Sequence, residues 1–184
     1  MNPPEPEILT SDLADLGLAL HDAFGFSELR AGQREAIEAV MAGRNVLAVM
    51  PTGAGKSLCY QLPAIVRGGL TVVVSPLVAL MRDQVAALRL NDIAAATINS
   101  DLSREENVRT WYAVRDGDVR LLYLSPERLM TDRMLAALEK LDVDLFAIDE
   151  AHCISQWGPA FRPEYAMLAD LRTRFPGTPI IGLT

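Results

Sequence analysis

The stretch Asn45-Val46-Leu47-Ala48-Val49-Met50-Pro51-Thr52-Gly53-Ala54-Gly55-Lys56-Ser57 constrains the fold more than any other part of the chain. An apolar run of β type ends in a turn holding two glycines, a lysine and a serine, and Leu58-Cys59-Tyr60-Gln61-Leu62 then has the character of a helix start. Strand, tight loop and helix N-terminus in that order bring backbone N–H groups to one point. The helix end adds about half a positive charge there, so the loop suits a phosphate chain. Gly53 and Gly55 let the backbone approach and take positive φ without a Cβ clash. Lys56 would reach the β- and γ-phosphates, and the Ser57 hydroxyl would ligate Mg²⁺, with Thr52 and Ala54 completing the cradle. Met50 stands where the full G-x-x-x-x-G-K-[ST] pattern has its first glycine. On this stretch alone, a glycine-rich βα turn of some other α/β domain fits as well.

Asp144-Leu145-Phe146-Ala147-Ile148-Asp149-Glu150-Ala151-His152 sets two carboxylates at the end of an apolar strand. Burying both is costly unless a cation or hydrogen bonds meet them. Beside a phosphate loop, Mg²⁺ supplies that cation. Asp149 would hold it with Ser57, directly or through water, while Glu150 would orient and polarise the water that attacks the γ-phosphate. An Asp-Glu pair at a strand end also serves as a helix cap or a solvated turn. Its pairing with Lys56 and Ser57, in this chain order and expected on a neighbouring strand end, selects nucleoside triphosphate hydrolysis.

The rest of the chain fits a single domain. Its 184 residues can bury a core, and half of them are apolar against 22% charged, which is globular composition. No apolar run approaches the length of a membrane span, and the N-terminus has neither a basic nor an apolar segment of a secretory signal. Cys59 and Cys153 are too few and too distant for a C-x-x-C pair, so a reducing cytoplasm is the default compartment. The net charge of −7 argues against coating nucleic acid by electrostatics alone, but not against touching DNA along one narrow edge.

Residues 1–10, rich in proline and glutamate, are expected to be a disordered tail, and residues 11–184 the domain. Leu13, Leu16, Leu20 and Phe24 recur at helical spacing after Ser11 or Asp12, either of which can cap. A second helix follows Arg30, with Ile37, Val40 and Met41 inward and Gly43 closing it. Beyond the phosphate loop, β-rich runs at 70–74, 94–98, 120–124, 144–148 and 179–183 alternate with helical segments at 58–66, 78–90, 104–114, 132–138 and 163–172. Strands apolar on both faces and separated by single helices predict an α/β fold, a mostly parallel sheet with helices on both faces. Ligands in such sheets sit at the carboxyl ends of the strands.

Five words along the chain carry a resemblance. They are Leu29-Arg30-Ala31-Gly32-Gln33, the phosphate loop extended through Gln61, Ser75-Pro76-Leu77-Val78-Ala79-Leu80-Met81-Arg82-Asp83-Gln84, Tyr123-Leu124-Ser125-Pro126-Glu127-Arg128-Leu129 and Asp149-Glu150-Ala151-His152-Cys153-Ile154-Ser155-Gln156-Trp157-Gly158. In this order they resemble the RecQ family of ATP-dependent DNA helicases in superfamily 2, and Met50 is usual at its place there. The resemblance implies a RecA-like P-loop motor lobe that uses ATP and Mg²⁺, moves 3′ to 5′ and acts in DNA repair and recombination. It implies partners in single-stranded or partially duplex DNA, and nucleoid association if the source is bacterial.

The resemblance also implies roles. Gln33 would bond the adenine edge with Arg30 beside it, and Phe26, where the family usually has tyrosine, would stack on the base. Phe24 and Phe26 would equally serve as a staple of the first helix to the core. Ser75-Pro76 and Ser125-Pro126 would hold single-strand phosphates without reading sequence, although ordinary turns also explain such pairs. His152 would relay nucleotide state across the domain face, whereas His21 reads as a structural hydrogen-bonder. Trp157, Phe161 and Arg162 lie in a segment resembling the family's aromatic-rich loop, with stacking faces and a cation for the backbone. Here Pro159-Ala160 replaces the usual His-Asp, which predicts weakened DNA stimulation of the ATPase.

The sequence ends at Gly182-Leu183-Thr184, inside what resembles the next helicase motif. The expectation is half a motor that needs a second lobe for activity, binds ATP·Mg²⁺ weakly and unwinds nothing alone. Two alternatives stand beside the DNA helicase lobe: a DEAD- or DEAH-type RNA helicase lobe, and a catalytically silent nucleotide-binding or interaction module.

Overall fold

A computed structural model describes residues 10–155 and 162–184, with side chains described from Ala14 onward. Of the expected tail at 1–10, residues 1–9 lie outside the described residues, as do Trp157, Pro159, Ala160 and Phe161 of the aromatic loop, whereas Thr10 belongs to the first helix.

The first two helices follow their apolar spacing. Helix α1 (Thr10–Phe24) buries Leu16 and Leu20, and α2 (Gln33–Met41) buries Ala36, Ile37 and Val40. Because α1 already includes Thr10, Ser11 and Asp12 stand in its first turn and do not precede it. Gly43, at φ +71°, closes α2 as expected, with the N–H groups of Gly43 and Arg44 donating to the carbonyls of Val40 and Ala39.

Strands and helices then alternate through β1 (Val46–Ala48), α3 (Leu58–Arg67), β2 (Leu70–Val74), α4 (Val78–Leu90), β3 (Ala95–Ile98), α5 (Arg104–Arg115), β4 (Leu121–Leu124), α6 (Pro126–Leu129), α7 (Asp132–Leu138), β5 (Val143–Ile148), α8 (Pro163–Met167), α9 (Leu171–Arg174) and β6 (Ile180–Leu183). The six strands form one all-parallel sheet in the order β1-β6-β5-β2-β4-β3. Alternate strand residues feed two apolar cores. Val73, Leu121, Tyr123 and Ala147 pack with side chains of α1 to α4, and Val72, Leu122, Leu124 and Phe146 with those of α5 to α9. The parity slips once, where Leu70 pairs with Val143 but Thr71 pairs with Leu145. The displaced residue, Asp144, accepts from the Gly69 N–H at 3.0 Å and from Arg67 Nη2 at 3.3 Å.

Two expectations need correction. The segment 163–172 is not one helix: α8 passes through a 3₁₀ turn at Leu168–Asp170 into α9. Tyr165, Leu168 and Leu171 are all buried and recur every third residue, a spacing that a tightened, three-per-turn segment brings into one line. The strands carrying the phosphate loop and the acid pair are also not neighbours, because β6 lies between β1 and β5. Backbone pairing continues past the strand ends on either side of this gap. Met50 N donates to the Thr184 carbonyl, and Asp149 N to that of Val74.

Candidate active site

The phosphate loop is shaped from outside by the segment before α2. Arg30 Nη1 donates to the carbonyl of Gly53 at 3.0 Å, and Gln33 Nε2 donates to the carbonyls of Ala54 and Gly55 at 3.0 and 3.1 Å. The carbonyls are thereby turned outward. Among the described residues, the N–H groups of Gly53, Gly55, Lys56 and Ser57 have no acceptor, which leaves donors at the start of α3 for an anion. Gly55 must be glycine twice over. Its φ is +77°, and a Cβ there would lie 2.6 Å from Gln33 Nε2.

Gln33 therefore has a different setting from the one expected. It is buried, both Nε2 bonds go to the loop, and Oε1 accepts from the Arg30 N–H at 2.9 Å. In this conformation its amide holds the loop, and meeting an adenine edge would mean exchanging these bonds. Phe26 is 53% exposed, so about half of its surface is open to a base.

The acid pair is built at the end of β5. Asp149 N is fixed by Val74, its carboxylate accepts from Glu150 N at 3.0 Å, and its carbonyl accepts from the Tyr165 hydroxyl at 2.9 Å. Burial pushes the Asp149 carboxyl above its usual range and the neighbouring Glu150 charge adds to this, while the Glu150 N–H, Lys56 and His152 pull it down. Lys56 thus acts electrostatically on Asp149 from across β6. Glu150 adopts φ +51°, ψ 44°, a left-handed conformation that strains a non-glycine residue and is typical of functional positions. His152 Nδ1 lies 3.2 Å from Glu150 Oε2 and 3.1 Å from Thr184 Oγ1, tying the acid to the end of β6.

The serine-proline pairs differ from each other. Ser75 is only 2% exposed and its hydroxyl is buried without a partner, so that hydroxyl is not presented to a strand of DNA. Ser125 instead caps α6, accepting from Arg128 N at 3.3 Å with Pro126 at the first helical position. Arg162 Nη1 donates to the Pro76 carbonyl at 3.2 Å, which joins the segment after the aromatic loop to the end of β2.

The sequence reading missed Tyr165, whose hydroxyl bonds the Asp149 backbone, and Gln84, which reaches Ser57. Gln84 stands inside one of the quoted words and Tyr165 beyond the last of them, and nothing in residue type marked either as inward-pointing.

An all-parallel sheet with a phosphate loop after β1 and an acid pair after β5 defines a RecA-like P-loop domain. The chain belongs to the DEAD/DEAH box helicase family, whose model matches residues 30–184. Among curated proteins it is similar to the ATP-dependent DNA helicase RecQ of Haemophilus influenzae, 47% identical over 165 residues that cover 90% of this chain and 27% of that protein. It is also similar to the probable ATP-dependent DNA helicase RecS of Bacillus subtilis, 42% identical over 94% of this chain and 34% of that protein. The chain thus spans about a quarter to a third of the length of these relatives. Among solved structures, the DUF1998 helicase MrfA bound to DNA superposes with a TM-score of 0.73 over the whole chain and 28% of MrfA, at 22% identity, a likeness of fold. Among the described residues, no helix is long and apolar enough to cross a membrane.

Proposed function

We propose that this chain binds ATP with Mg²⁺ at the carboxyl edge of the sheet and hydrolyses it as the first motor lobe of a RecQ-type, 3′-to-5′ DNA helicase. The observation that carries the reading is the set of four unengaged loop N–H groups at the start of α3, on the same edge of the parallel sheet as the Asp149–Glu150 pair. Those N–H groups and Lys56 hold the phosphates. Ser57 and Asp149 are hard oxygen donors of the kind Mg²⁺ takes in ones and twos alongside substrate phosphates, and the raised carboxyl of Asp149 is a site where a cation relieves a burial penalty. When bound, the metal neutralises charge developing on the β- and γ-oxygens. Glu150, held by His152, orients the attacking water and draws its proton. Phe26 stacks on the base, and Arg30 and Gln33 connect base recognition to the loop.

Contact with single-stranded DNA is supported by the names of the relatives and by the gathering of Pro76, Ser125 and Arg162 at the ends of β2 and β4, whereas Pro126 is buried and serves the start of α6. Trp157 and Phe161 supply stacking faces, His152 relays nucleotide state, and unwinding requires a second motor lobe closing over the ATP.

The test is titration with a fluorescent, slowly hydrolysed ATP analogue in Mg²⁺. Lys56→Ala should weaken binding at least tenfold while leaving the circular dichroism spectrum unchanged. Equal affinity of the variant and the parent would overturn the assignment of this edge.

A further inference from the structure

Beneath the phosphate loop lies a chain of polar side chains that the hydrolysis scheme does not use. Gln84, on α4, donates through Nε2 to Ser57 Oγ at 3.4 Å and accepts through Oε1 from Gln61 Nε2 at 2.9 Å. Gln61 Nε2 also donates to the Tyr123 hydroxyl at 3.4 Å, and that hydroxyl lies 3.3 Å from the Tyr60 hydroxyl. Tyr60 and Tyr123 are 1% exposed and Gln61 is 7% exposed, and the two rings meet edge to face with centroids 6.5 Å apart. Buried polar groups hold their geometry when each has a partner, and here Gln61, Tyr60 and Tyr123 partner one another away from water. Among the described residues, the chain reaches the phosphate loop at the Ser57 hydroxyl.

We infer that Gln84 is a positioning residue that sets the Ser57 hydroxyl for Mg²⁺, with Gln61, Tyr123 and Tyr60 as its fixed backing. A hydroxyl oxygen has two acceptor lone pairs. The Gln84 N–H occupies one and stops the side chain rotating, which leaves the other aimed away from α4 into the phosphate site. Gln84 itself cannot turn, because its carbonyl is held by Gln61. The inference rests on the assignment of Ser57 as a metal ligand, and the experiment separates the two.

The same fluorescent ATP analogue is titrated in excess Mg²⁺ and in EDTA, and the ratio of affinities is the metal increment. Ser57→Ala should collapse this increment. Gln84→Met, which keeps length and loses both hydrogen bonds, should lower it about three- to tenfold, as expected for one lost hydrogen bond, with affinity in EDTA unchanged. Gln84→Asn, one methylene too short to span both partners, should lose as much and serves where Gln84→Met does not fold. A full increment in the Gln84 variants beside a collapsed one in Ser57→Ala overturns the positioning role and leaves the ligand assignment standing. A full increment in Ser57→Ala overturns both. Equal loss with and without metal marks Gln84 as structural only and also overturns the inference.

Discussion

At Asp149 a carboxylate sits at the buried end of β5, where desolvation, with the Glu150 charge adding to it, raises its pKa more than the Glu150 N–H, Lys56 and His152 lower it. The folded protein therefore holds this proton to higher pH than the unfolded chain, whose aspartates titrate near about 3.9. Stability contributed by protonated Asp149 is present below that pH and is lost as pH rises through the raised folded value. Asp149→Asn should then melt at a higher temperature than the parent at pH 7 without nucleotide, with the gap narrowing on acidification. Scanning calorimetry at several pH values checks the sign. The same variant should lose the metal increment in analogue binding. Lys56, Ser57, Asp149 and Glu150 were legible in the sequence because their chemistry is tied to a spacing after an apolar run. The setting of Gln33 was not, since residue type says that an amide can bond a base and not that three backbone groups already engage it.

At the scale of elements, the closing glycine expected at Gly43 is in place, the cap expected at Ser11 or Asp12 is not, and the one at Ser103 went unread. Helix α5 opens with Ser103 accepting from Glu106 N at 3.2 Å while the Glu106 carboxylate accepts from Ser103 N at 2.8 Å. Ser103→Ala should cost about 1 kcal/mol in urea denaturation, with analogue affinity unchanged because α5 lies away from the phosphate loop. Helix α6 escaped the sequence reading because its four residues are too short for apolar periodicity, although Ser125 and Pro126 formed a start signal. The break between α8 and α9 escaped because a three-residue repeat and a helical repeat coincide over ten residues.

For the molecule as a whole, the alternation of strands and helices announced a parallel sheet. The order of its strands is set by crossovers that no local pattern records, which is how β6 came to separate β1 from β5. Phe146, wholly buried in β5, meets Phe175 edge to face at 4.9 Å between centroids. Phe146→Ala should cost about 3–5 kcal/mol by chemical denaturation, a large part of the roughly 5–15 kcal/mol available to a domain. The sheet stands between two apolar compartments as a party wall. On the proposed function, the seat of the triphosphate is founded in the room holding Ile37 and Leu62, and the aim of the acids in the room holding Tyr165 and Phe175. A void opened in the first should slacken the grip on the ligand, and one opened in the second should spoil the alignment of the attacking water. Binding and chemistry are thus exposed to separate injuries although their residues meet at one edge.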